Sequence, residues 1–377
     1  MNDDAEEMRL QLAEQLASAG HVRTAPWRRA VEAVPRHEFL RGGYFERIDL
    51  PGRPTAWAPV MPGSPSWLKS CYADNSLVTQ IAGTIVPGDL LGGEITRLPT
   101  SSSTRPSLVV RMLEDLRVQD THRLLIVGIG TGYSSGLASH RLGSDHVTAV
   151  EIDPDVASRA RGALGRCGYA PTVVVGDGLA GWKDGSPYDR IVAYCGTVTI
   201  PYEWVEQTLP GGVILATVGG WMYSSELARL TVTGDGTAAG RLLDGRNSFM
   251  LARPQTPPPI GLLPDLDQAD DQPTELAAHV LEDWDTRFVA QLAAPRAQRM
   301  TLDRDGSTEH VLLDVEAGAW AVLRQDDSRW LVRQGGPYNV WDRIADHVTR
   351  WYRDGSPSLD RFDITVTPEG QTITWPR

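Results

Sequence analysis

Short apolar runs alternate with amphipathic stretches between residues 122 and about 218. Runs of aliphatic and β-branched residues predict buried strands, whereas apolar residues three and four positions apart predict helices. The strands are expected at 123–127, 146–151, 172–176, 189–194 and 212–218, and the helices at 133–142, 154–167 and 201–208. This alternation predicts an α/β fold with a parallel sheet covered on both faces, and ligands at the carboxyl ends of its strands.

The pattern on either side of this region is less regular. Helical spacing predicts three upstream helices, at 5–19, at 27–34 and from Pro106 to about Leu116. Residues 42–65 are rich in proline and glycine and are predicted to be irregular. Two further strands, at 227–233 and 247–252, flank a Gly-Asp-Gly turn and are expected to complete the sheet with one antiparallel strand.

A proline-rich stretch at residues 254–273, with acidic residues between its prolines, predicts a linker. Beyond it a smaller α+β unit is expected: helices at 275–291 and 338–353, strands at 309–315, 318–324 and 329–333, and a hairpin at 362–367 and 372–375. A chain of 377 residues is long for one domain. We therefore expect helices in 1–121 and a sheet in 122–253 to form one domain, and 274–377 to form an accessory domain.

Composition narrows the class of protein. Hydrophobic residues make up 41% of the chain and charged residues 22%, as in globular proteins. The formal net charge of −12 argues against nucleic acid as a partner. Three scattered cysteines indicate neither a metal site nor a disulfide framework. No apolar run is long enough to span a membrane, and the acidic N-terminus lacks a signal-peptide core, so a cytoplasmic location is expected.

The predicted strand at 123–127 ends in three glycines, Gly128, Gly130 and Gly132. Glycine lets the backbone approach a ligand closely, and the N-terminal amides of the following helix point to the same place. Dinucleotide folds have G-x-G-x-x-G, but Tyr133 occupies the position of that third glycine. The spacing found, which includes Thr131, favours S-adenosylmethionine over a nicotinamide cofactor, although a dehydrogenase stays an alternative.

Two acidic residues strengthen the prediction of a cofactor site. Glu151 ends the next predicted strand, where an acid can bind the hydroxyls of a ribose. Asp177, followed by Gly178, comes just after the third strand and can accept a hydrogen bond from an exocyclic amine such as that of adenine. Either acid alone could be a solvated strand end, but two at successive strand ends point to a ligand.

A run of hydroxyl residues, Thr100 to Thr104, precedes the helix that begins near Pro106. Such a run is typical of a flexible loop or a helix cap. Its position just before the helix that leads into the glycine strand favours a role in facing a substrate.

Residues from about 8 to 253 resemble the protein-L-isoaspartate O-methyltransferase family. The segments that carry the resemblance are Ala33–Phe39, Tyr72–Asp74, the hydroxyl run into Pro106, Gly130–Tyr133, Val174–Gly178, Tyr188–Ile191 and Leu209–Gly212. The resemblance implies a doubly wound, seven-strand, Rossmann-like methyltransferase domain that uses S-adenosylmethionine. It also implies a substrate-binding part of the active site. To that part we assign Ser101, Asp74, Val218 and Gly219.

Two positions depart from the family pattern. The motif before the helix usually reads Thr-Ile-Ser, whereas this chain has Ser102, Ser103 and Thr104, so the active-site hydroxyl would be that of Thr104. The usual acid two residues before the first glycine is Ile126 here, which removes one expected partner of the cofactor's amino group.

The serine-rich run and the C-terminal extension resemble a branch of the family found with ribosomal peptide (graspetide and lanthipeptide) maturation systems. That branch implies methylation of an aspartate side chain in a modified, cyclised precursor peptide, after which the ester closes to an aspartimide. Repair enzymes of the family generally end near the end of the sheet, so the extension favours this reading. Repair of isoaspartyl residues is the main alternative, and a non-catalytic binding module, supported only by Ile126, is another.

Overall fold

The computed structural model describes residues 2–90, 92–304 and 306–376. The chain forms two compact units, the first made of Met1–Tyr194 and Glu203–Leu215 and the second of Cys195–Tyr202 and Ala216–Arg377. The boundaries of these compact units differ from the predicted domain boundaries at residues 253 and 274, and the predicted boundaries stay a prediction.

The first unit begins with helices and a small antiparallel sheet. Its helices are α1 (Asn2–Ser18), α2 (Ala25–Ala33) and α3 (Trp67–Cys71), with a 3-10 turn at Arg36–Leu40. The sheet has the order β2-β1-β3-β4, formed by β1 (Tyr44–Ile48), β2 (Ala56–Val60), β3 (Leu77–Ile81) and β4 (Pro99–Ser103). Phe45, Val78 and Ile81 form its buried cluster.

One prediction for this region is wrong, and one alternative does not hold. Residues 42–65 are not irregular, because β1 and β2 pair there as a hairpin, with Tyr44 opposite Val60. Of the nine prolines and glycines that suggested irregular structure, three lie in the connection between these two strands, one lies within β2, and the other five flank the hairpin. The hydroxyl run is not a loop either, since β4 pairs with β3 and places Ser103 opposite Leu77.

The parallel sheet of the first unit follows the predicted alternation. Helix α4 (Pro106–Asp115) leads into it, and the remaining elements are β5 (Leu124–Val127), α5 (Tyr133–Leu142), β6 (Val147–Glu151), α6 (Pro154–Arg166), β7 (Thr172–Val175), β8 (Tyr188–Thr197), α7 (Tyr202–Glu206) and β9 (Thr208–Gly219). Strand β5 pairs in parallel with β6 and β8, and β6 pairs in parallel with β7. The predicted α/β methyltransferase-like fold is therefore confirmed, with all four residues of β5 buried.

Strands β8 and β9 continue into the second unit, where the sheet becomes antiparallel. There β9 is followed by β10 (Ser225–Val232) and β11 (Ala238–Leu243), in the order β11-β10-β9. The predicted strand at 247–252 is wrong, since in this stretch only Leu251 forms an isolated bridge. Strand β11 has no β-branched residues, so the sequence pattern did not predict it. A β-carbon on Gly240 would lie 1.9 Å from the Arg229 carbonyl oxygen, so position 240 requires glycine.

The rest of the second unit contains a five-stranded antiparallel sheet in the order β12-β16-β15-β14-β13. Its strands are β12 (Gln272–Thr274), β13 (Gln298–Arg304), β14 (Ser307–Asp314), β15 (Ala319–Asp326) and β16 (Arg329–Gly335). Strand β13 was missed by the sequence pattern. The predicted helix at 275–291 is a 3-10 turn, Ala278–Glu282, followed by α8 (Trp284–Ala293). The proline-rich stretch packs on this sheet through Leu266, which contacts the buried cluster around Val311 and Trp320.

Helix α9 (Val340–Arg353) buries Trp341, Ile344, Val348 and Trp351, as its spacing predicts. The terminal hairpin, β17 (Asp363–Thr367) and β18 (Gly370–Thr374), pairs through β17 with β11. The sheet that contains β5 therefore has two strands, β17 and β18, beyond the seven that were expected. Among the residues that the structure describes, no helix combines the length and apolar character of a membrane span.

Candidate active site

The glycine turn after β5 adopts backbone conformations that side chains disfavour. Gly128, Gly130 and Gly132 have φ angles of 81°, 53° and 92°. A β-carbon on Gly130 would lie 3.1 Å from the carbonyl oxygen of Ser102, and one on Gly132 would lie 3.2 Å from the Ala160 β-carbon. The turn therefore runs directly beside the hydroxyl strand β4, and helix α5 begins at its end.

Glu151, at the end of β6, is buried beside this turn. Its Oε2 accepts a hydrogen bond of 3.2 Å from the Gly130 amide, and its Oε1 accepts one of 3.2 Å from the Asp153 amide. The predicted cofactor acid is thus held against the predicted cofactor loop. A carboxylate in this position can accept hydrogen bonds from the hydroxyls of a ribose.

A chain of side chains links Glu151 to the hydroxyl strand, and the sequence did not reveal it. Asp153 caps helix α6 through Oδ1, while its Oδ2 accepts a 3.0 Å hydrogen bond from Gln80 Nε2. Gln80 is almost fully buried in β3, and its Oε1 accepts a 2.9 Å hydrogen bond from the hydroxyl of Thr100. The start of β4 is therefore tied to the loop that carries the acid.

Asp177 follows β7 and is exposed. Its Oδ1 accepts a hydrogen bond of 3.0 Å from the Leu179 amide, which leaves Oδ2 available for a ligand. A β-carbon on Gly178 would lie 2.5 Å from Val127 Cγ1, so only glycine lets this loop lie against the end of β5.

The hydroxyl residues on β4 have different surroundings. Ser101 is buried and its Oγ lies 3.5 Å from the Thr79 hydroxyl, while Ser102 and Thr104 are half-buried. Ser103 is 2% exposed, and its Oγ has no hydrogen-bond partner among the residues that the structure describes. A buried hydroxyl normally has a partner, so this one is available to a bound molecule.

Arg36 holds β4 in place, although its role was not visible in the sequence. Its side chain is fully buried, and burial lowers the pKa of its guanidinium, which nevertheless keeps its charge. The two terminal nitrogens donate to five backbone carbonyls at 2.9–3.2 Å, those of Cys71, Ala73, Asn75, Ser103 and Thr104. One side chain thus fixes the end of the hydroxyl strand to the loop at 71–75.

Asp74 and Tyr133 have structural contacts in addition to their predicted roles. Asp74 Oδ1 accepts a 2.8 Å hydrogen bond from the Ser107 amide in the first turn of α4. The Tyr133 ring is buried between Phe39, with ring centroids 5.8 Å apart, and the Arg36 guanidinium, also 5.8 Å away. Burial raises the pKa of Tyr133 to about 12, so its hydroxyl stays neutral. A ligand would meet the backbone of Tyr133 rather than its ring.

The remaining predicted positions are placed as follows. Thr131 lies half-buried within the glycine turn, and Ile126 is fully buried in β5 between Ala149 and Val192 on the neighbouring strands. Val218 and Gly219 end β9 in the second unit, and their assignment to the substrate side stays a prediction.

These features fit S-adenosylmethionine. The glycine turn has positive φ angles and close neighbours, and two carboxylates lie near it, that of Glu151 at the end of β6 and that of Asp177 just after β7. Among the described residues, no group of histidine, cysteine, aspartate or glutamate is placed to hold a metal ion. The fold and these residues together define the class of S-adenosylmethionine-dependent methyltransferases.

Comparison with known proteins identifies the family within this class. The model of the protein-L-isoaspartate(D-aspartate) O-methyltransferase family matches residues 93–244. A protein-L-isoaspartate O-methyltransferase of Methanopyrus kandleri is 30% identical over 231 residues, which cover 60% of this chain and 84% of that protein. One of Thermococcus onnurineus is 34% identical over 134 residues, which cover 35% of this chain and only 60% of that protein.

The chain belongs to the protein-L-isoaspartate O-methyltransferase family. The family name describes O-methyl transfer to an aspartyl-derived carboxylate, which agrees with the predicted carboxyl O-methyltransferase class and with S-adenosylmethionine as its cofactor. A solved protein-L-isoaspartate O-methyltransferase structure aligns over 98% of this chain and 100% of its own, with a TM-score of 0.57 at 18% identity, which is a likeness of fold. This likeness of fold includes the C-terminal region, and the assignment of that region to peptide maturation stays a prediction.

Proposed function

We propose that this protein methylates an aspartyl-derived carboxylate of a protein or peptide, with the α-carboxylate of an isoaspartyl residue as its principal substrate. The observation that carries the proposal is the approach of the Gly130 backbone to Ser102, which places the cofactor loop beside the hydroxyl strand. The unpartnered Oγ of Ser103 supports it, because a carboxylate oxygen is a suitable acceptor for that hydroxyl.

The nucleophile needs no general base. The reference pKa of an aspartic acid is about 3.9, so the carboxylate is already ionised at neutral pH. When bound, S-adenosylmethionine would supply a methyl group from a positively charged sulfur to a carboxylate oxygen, with an oxygen–carbon bond formed as the carbon–sulfur bond breaks and its electron pair remains on sulfur. No proton is transferred.

The residues of the chain therefore bind and orient. Glu151 and Asp177 are proposed to hold the ribose and the adenine, and the glycine turn to hold the rest of the cofactor. Ser103 and Thr104 are proposed to donate hydrogen bonds that align one carboxylate oxygen with the methyl group. Neutral hydroxyls orient an anion without binding it as tightly as a guanidinium would.

The names of the relatives favour an isoaspartyl substrate, since those of Methanopyrus kandleri and Thermococcus onnurineus are both protein-L-isoaspartate O-methyltransferases. Methylation of an isoaspartyl α-carboxylate is followed by attack of the neighbouring backbone nitrogen on the ester, which closes a succinimide and releases methanol with the amide proton. The same closure would follow at an ordinary aspartate. The chemistry of the site is therefore compatible with both substrates.

A second candidate is an aspartate side chain in a cyclised ribosomal precursor peptide, with an aspartimide as the product. One observation favours it: β4 carries Ser102, Ser103 and Thr104 where the family pattern has Thr-Ile-Ser. The buried position 103 thus carries a polar hydroxyl where the family pattern has a branched apolar side chain, which changes what lies beside the substrate.

Mass spectrometry distinguishes the two candidates. The full-length protein is incubated with S-adenosylmethionine and either an isoaspartyl peptide or its aspartyl counterpart of the same sequence, linear or side-chain cyclised. Gain of one methyl group on the isoaspartyl peptide alone supports repair. Methylation of the cyclised aspartyl peptide, followed by loss of methanol to a stable aspartimide, supports maturation. Absence of transfer to any carboxylate would overturn the proposal.

A further inference from the structure

The second unit contains an open cleft of 710 Å³, outside the residues assigned to the cofactor and to β4. Helix α9 forms one wall, and residues 274–276, after β12, form the other. Its volume lies within the roughly 300–1,000 Å³ typical of ligand pockets. Neither the proposed catalysis nor the family resemblance gives this cleft a role.

The cleft wall on α9 is basic. Arg343, Arg350 and Arg353 line the cleft and are exposed, at positions seven and three residues apart along one side of the helix. The opposite side of α9 is apolar and buried. The arginines are therefore not needed to pack the helix, and their charge faces the cleft.

Two of these guanidinium groups lie over aromatic rings rather than beside carboxylates. Arg343 is 3.9 Å from the centroid of the Tyr338 ring, and Arg350 is 5.0 Å from that of Trp375. Stacking of this kind holds a guanidinium in place and leaves its N–H groups free to donate. Within residues 2–90, 92–304 and 306–376, none of the three arginines forms an ion pair, although Glu275 and Asp346 also line the cleft.

His347 adds a donor whose orientation is determined by its neighbour. Its Nδ1 lies 2.9 Å from Arg350 Nη2. A guanidinium can only donate, so Nδ1 accepts this hydrogen bond. Burial, together with the charge of Arg350, lowers the pKa of His347 to about 4, so the ring is neutral and its single proton is on Nε2. That N–H is buried and has no acceptor among the described residues, and the ring packs edge-on against Trp375, with ring centroids 5.0 Å apart.

The cleft thus presents three guanidinium groups, which can only donate hydrogen bonds. A fitting ligand must carry several acceptors and negative charge. We propose that this cleft binds an acidic segment of the peptide substrate, at a distance along the peptide from the residue that is methylated. The inference rests on the proposed function, because it assigns the segment to that substrate.

An acidic peptide fits better than a nucleic acid. Glu275 and Asp346 would repel a continuous phosphate chain, whereas separated carboxylates can lie between them and the arginines. The net charge of −12 also disfavours a long polyanion, whose charges extend beyond the cleft.

Binding is tested by fluorescence anisotropy with the full-length protein. The probe is a fluorescein-labelled, C-terminally amidated peptide of alternating glutamate and glycine, which has no aspartyl group to methylate. We expect the double variant Arg343→Gln and Arg353→Gln to bind it about tenfold more weakly. The matched control is Arg329→Gln, an exposed arginine of the same unit that does not line the cleft and whose substitution should not change affinity.

Two further measurements make the result decisive. A peptide with glutamine in place of glutamate should not bind, and an oligonucleotide of equal charge should bind more weakly than the glutamate peptide. Equal affinity of the wild type and the double variant, or preference for the oligonucleotide, would overturn the inference.

Kinetics separates this inference from the proposed function. An acidic tail on an isoaspartyl peptide should lower KM for the wild type but not for the double variant, with kcat unchanged in both. If no isoaspartyl peptide is methylated at all, the proposed function fails, while the anisotropy result still decides whether the cleft binds acidic peptide.

Discussion

Replacing Arg36 with lysine should reduce both the rate of methyl transfer and the free energy of unfolding. The guanidinium donates to five backbone carbonyls, two of them on the hydroxyl residues Ser103 and Thr104. An ammonium group is a compact donor that cannot reach both the loop at 71–75 and the end of β4. The substitution therefore keeps the charge but releases the link between them.

The magnitude follows from the contacts that are lost. A hydrogen bond to a charged group contributes about 1.5–3 kcal/mol, and contributions within one network are not additive. If lysine keeps two of the five contacts, we expect the free energy of unfolding to fall by about 2–4 kcal/mol. A displacement of the hydroxyls by about 1 Å can cost about a hundredfold in rate, so kcat should fall by that order.

Urea unfolding at equilibrium and methyl transfer to an isoaspartyl peptide at saturating cofactor measure the two effects. Arg190→Lys is the matched control, since Arg190 is also buried and also donates to backbone carbonyls, those of Leu116, Arg117 and Asp189. The control should lose stability but keep its kcat. If both variants lose activity in the same proportion, or if Arg36→Lys keeps full activity, Arg36 does not position the hydroxyl strand.

Three other predictions concern the cofactor, the hydroxyls and pH. Glu151→Gln should weaken binding of S-adenosylhomocysteine by about 1.5–3 kcal/mol in calorimetry, and unchanged affinity would remove Glu151 from the site. Ser103→Ala and Thr104→Val should lower kcat with nearly unchanged cofactor affinity, whereas loss of cofactor binding would mean that these residues are structural. Burial raises the pKa of Glu226 to about 7, so the unfolded chain loses this proton at lower pH than the folded one. The free energy of unfolding should therefore fall by up to about 3 kcal/mol between pH 4.5 and 7. Glu226→Gln should abolish this loss in urea titrations, and an identical pH profile would contradict the reasoning.

The parallel sheet could be predicted from the sequence because its signals are local. Each strand of β5 to β8 contains a short apolar run. The glycines and acids that follow these strands depend on the backbone conformation of a few neighbouring residues. The three glycines do adopt positive φ angles, and Glu151 does contact Gly130. Features that depend on the local backbone conformation can therefore be predicted from the sequence.

Other elements depend on partners far along the chain and could not be predicted in this way. Strand β11 has a glycine at position 240 because that position lies against the Arg229 carbonyl, which is a requirement of pairing rather than of propensity. The hydroxyl run forms a strand because β3 is beside it. Arg36 was part of a recognised segment, but its five acceptors lie 35 to 68 residues away.

The position of the hydroxyl strand is set from both ends, and this has a consequence for substrate choice. Gln80 and Asp153 connect its start to the loop of Glu151, and Arg36 holds its end. Because the carboxylate nucleophile needs no activation, these contacts favour any carboxylate that reaches Ser103 in the correct orientation. The difference between an isoaspartyl and an aspartyl substrate therefore has to come from contacts to the peptide outside the reacting atoms. Substitutions that change this preference should consequently alter KM for one peptide relative to the other, and should leave kcat for the preferred one in place.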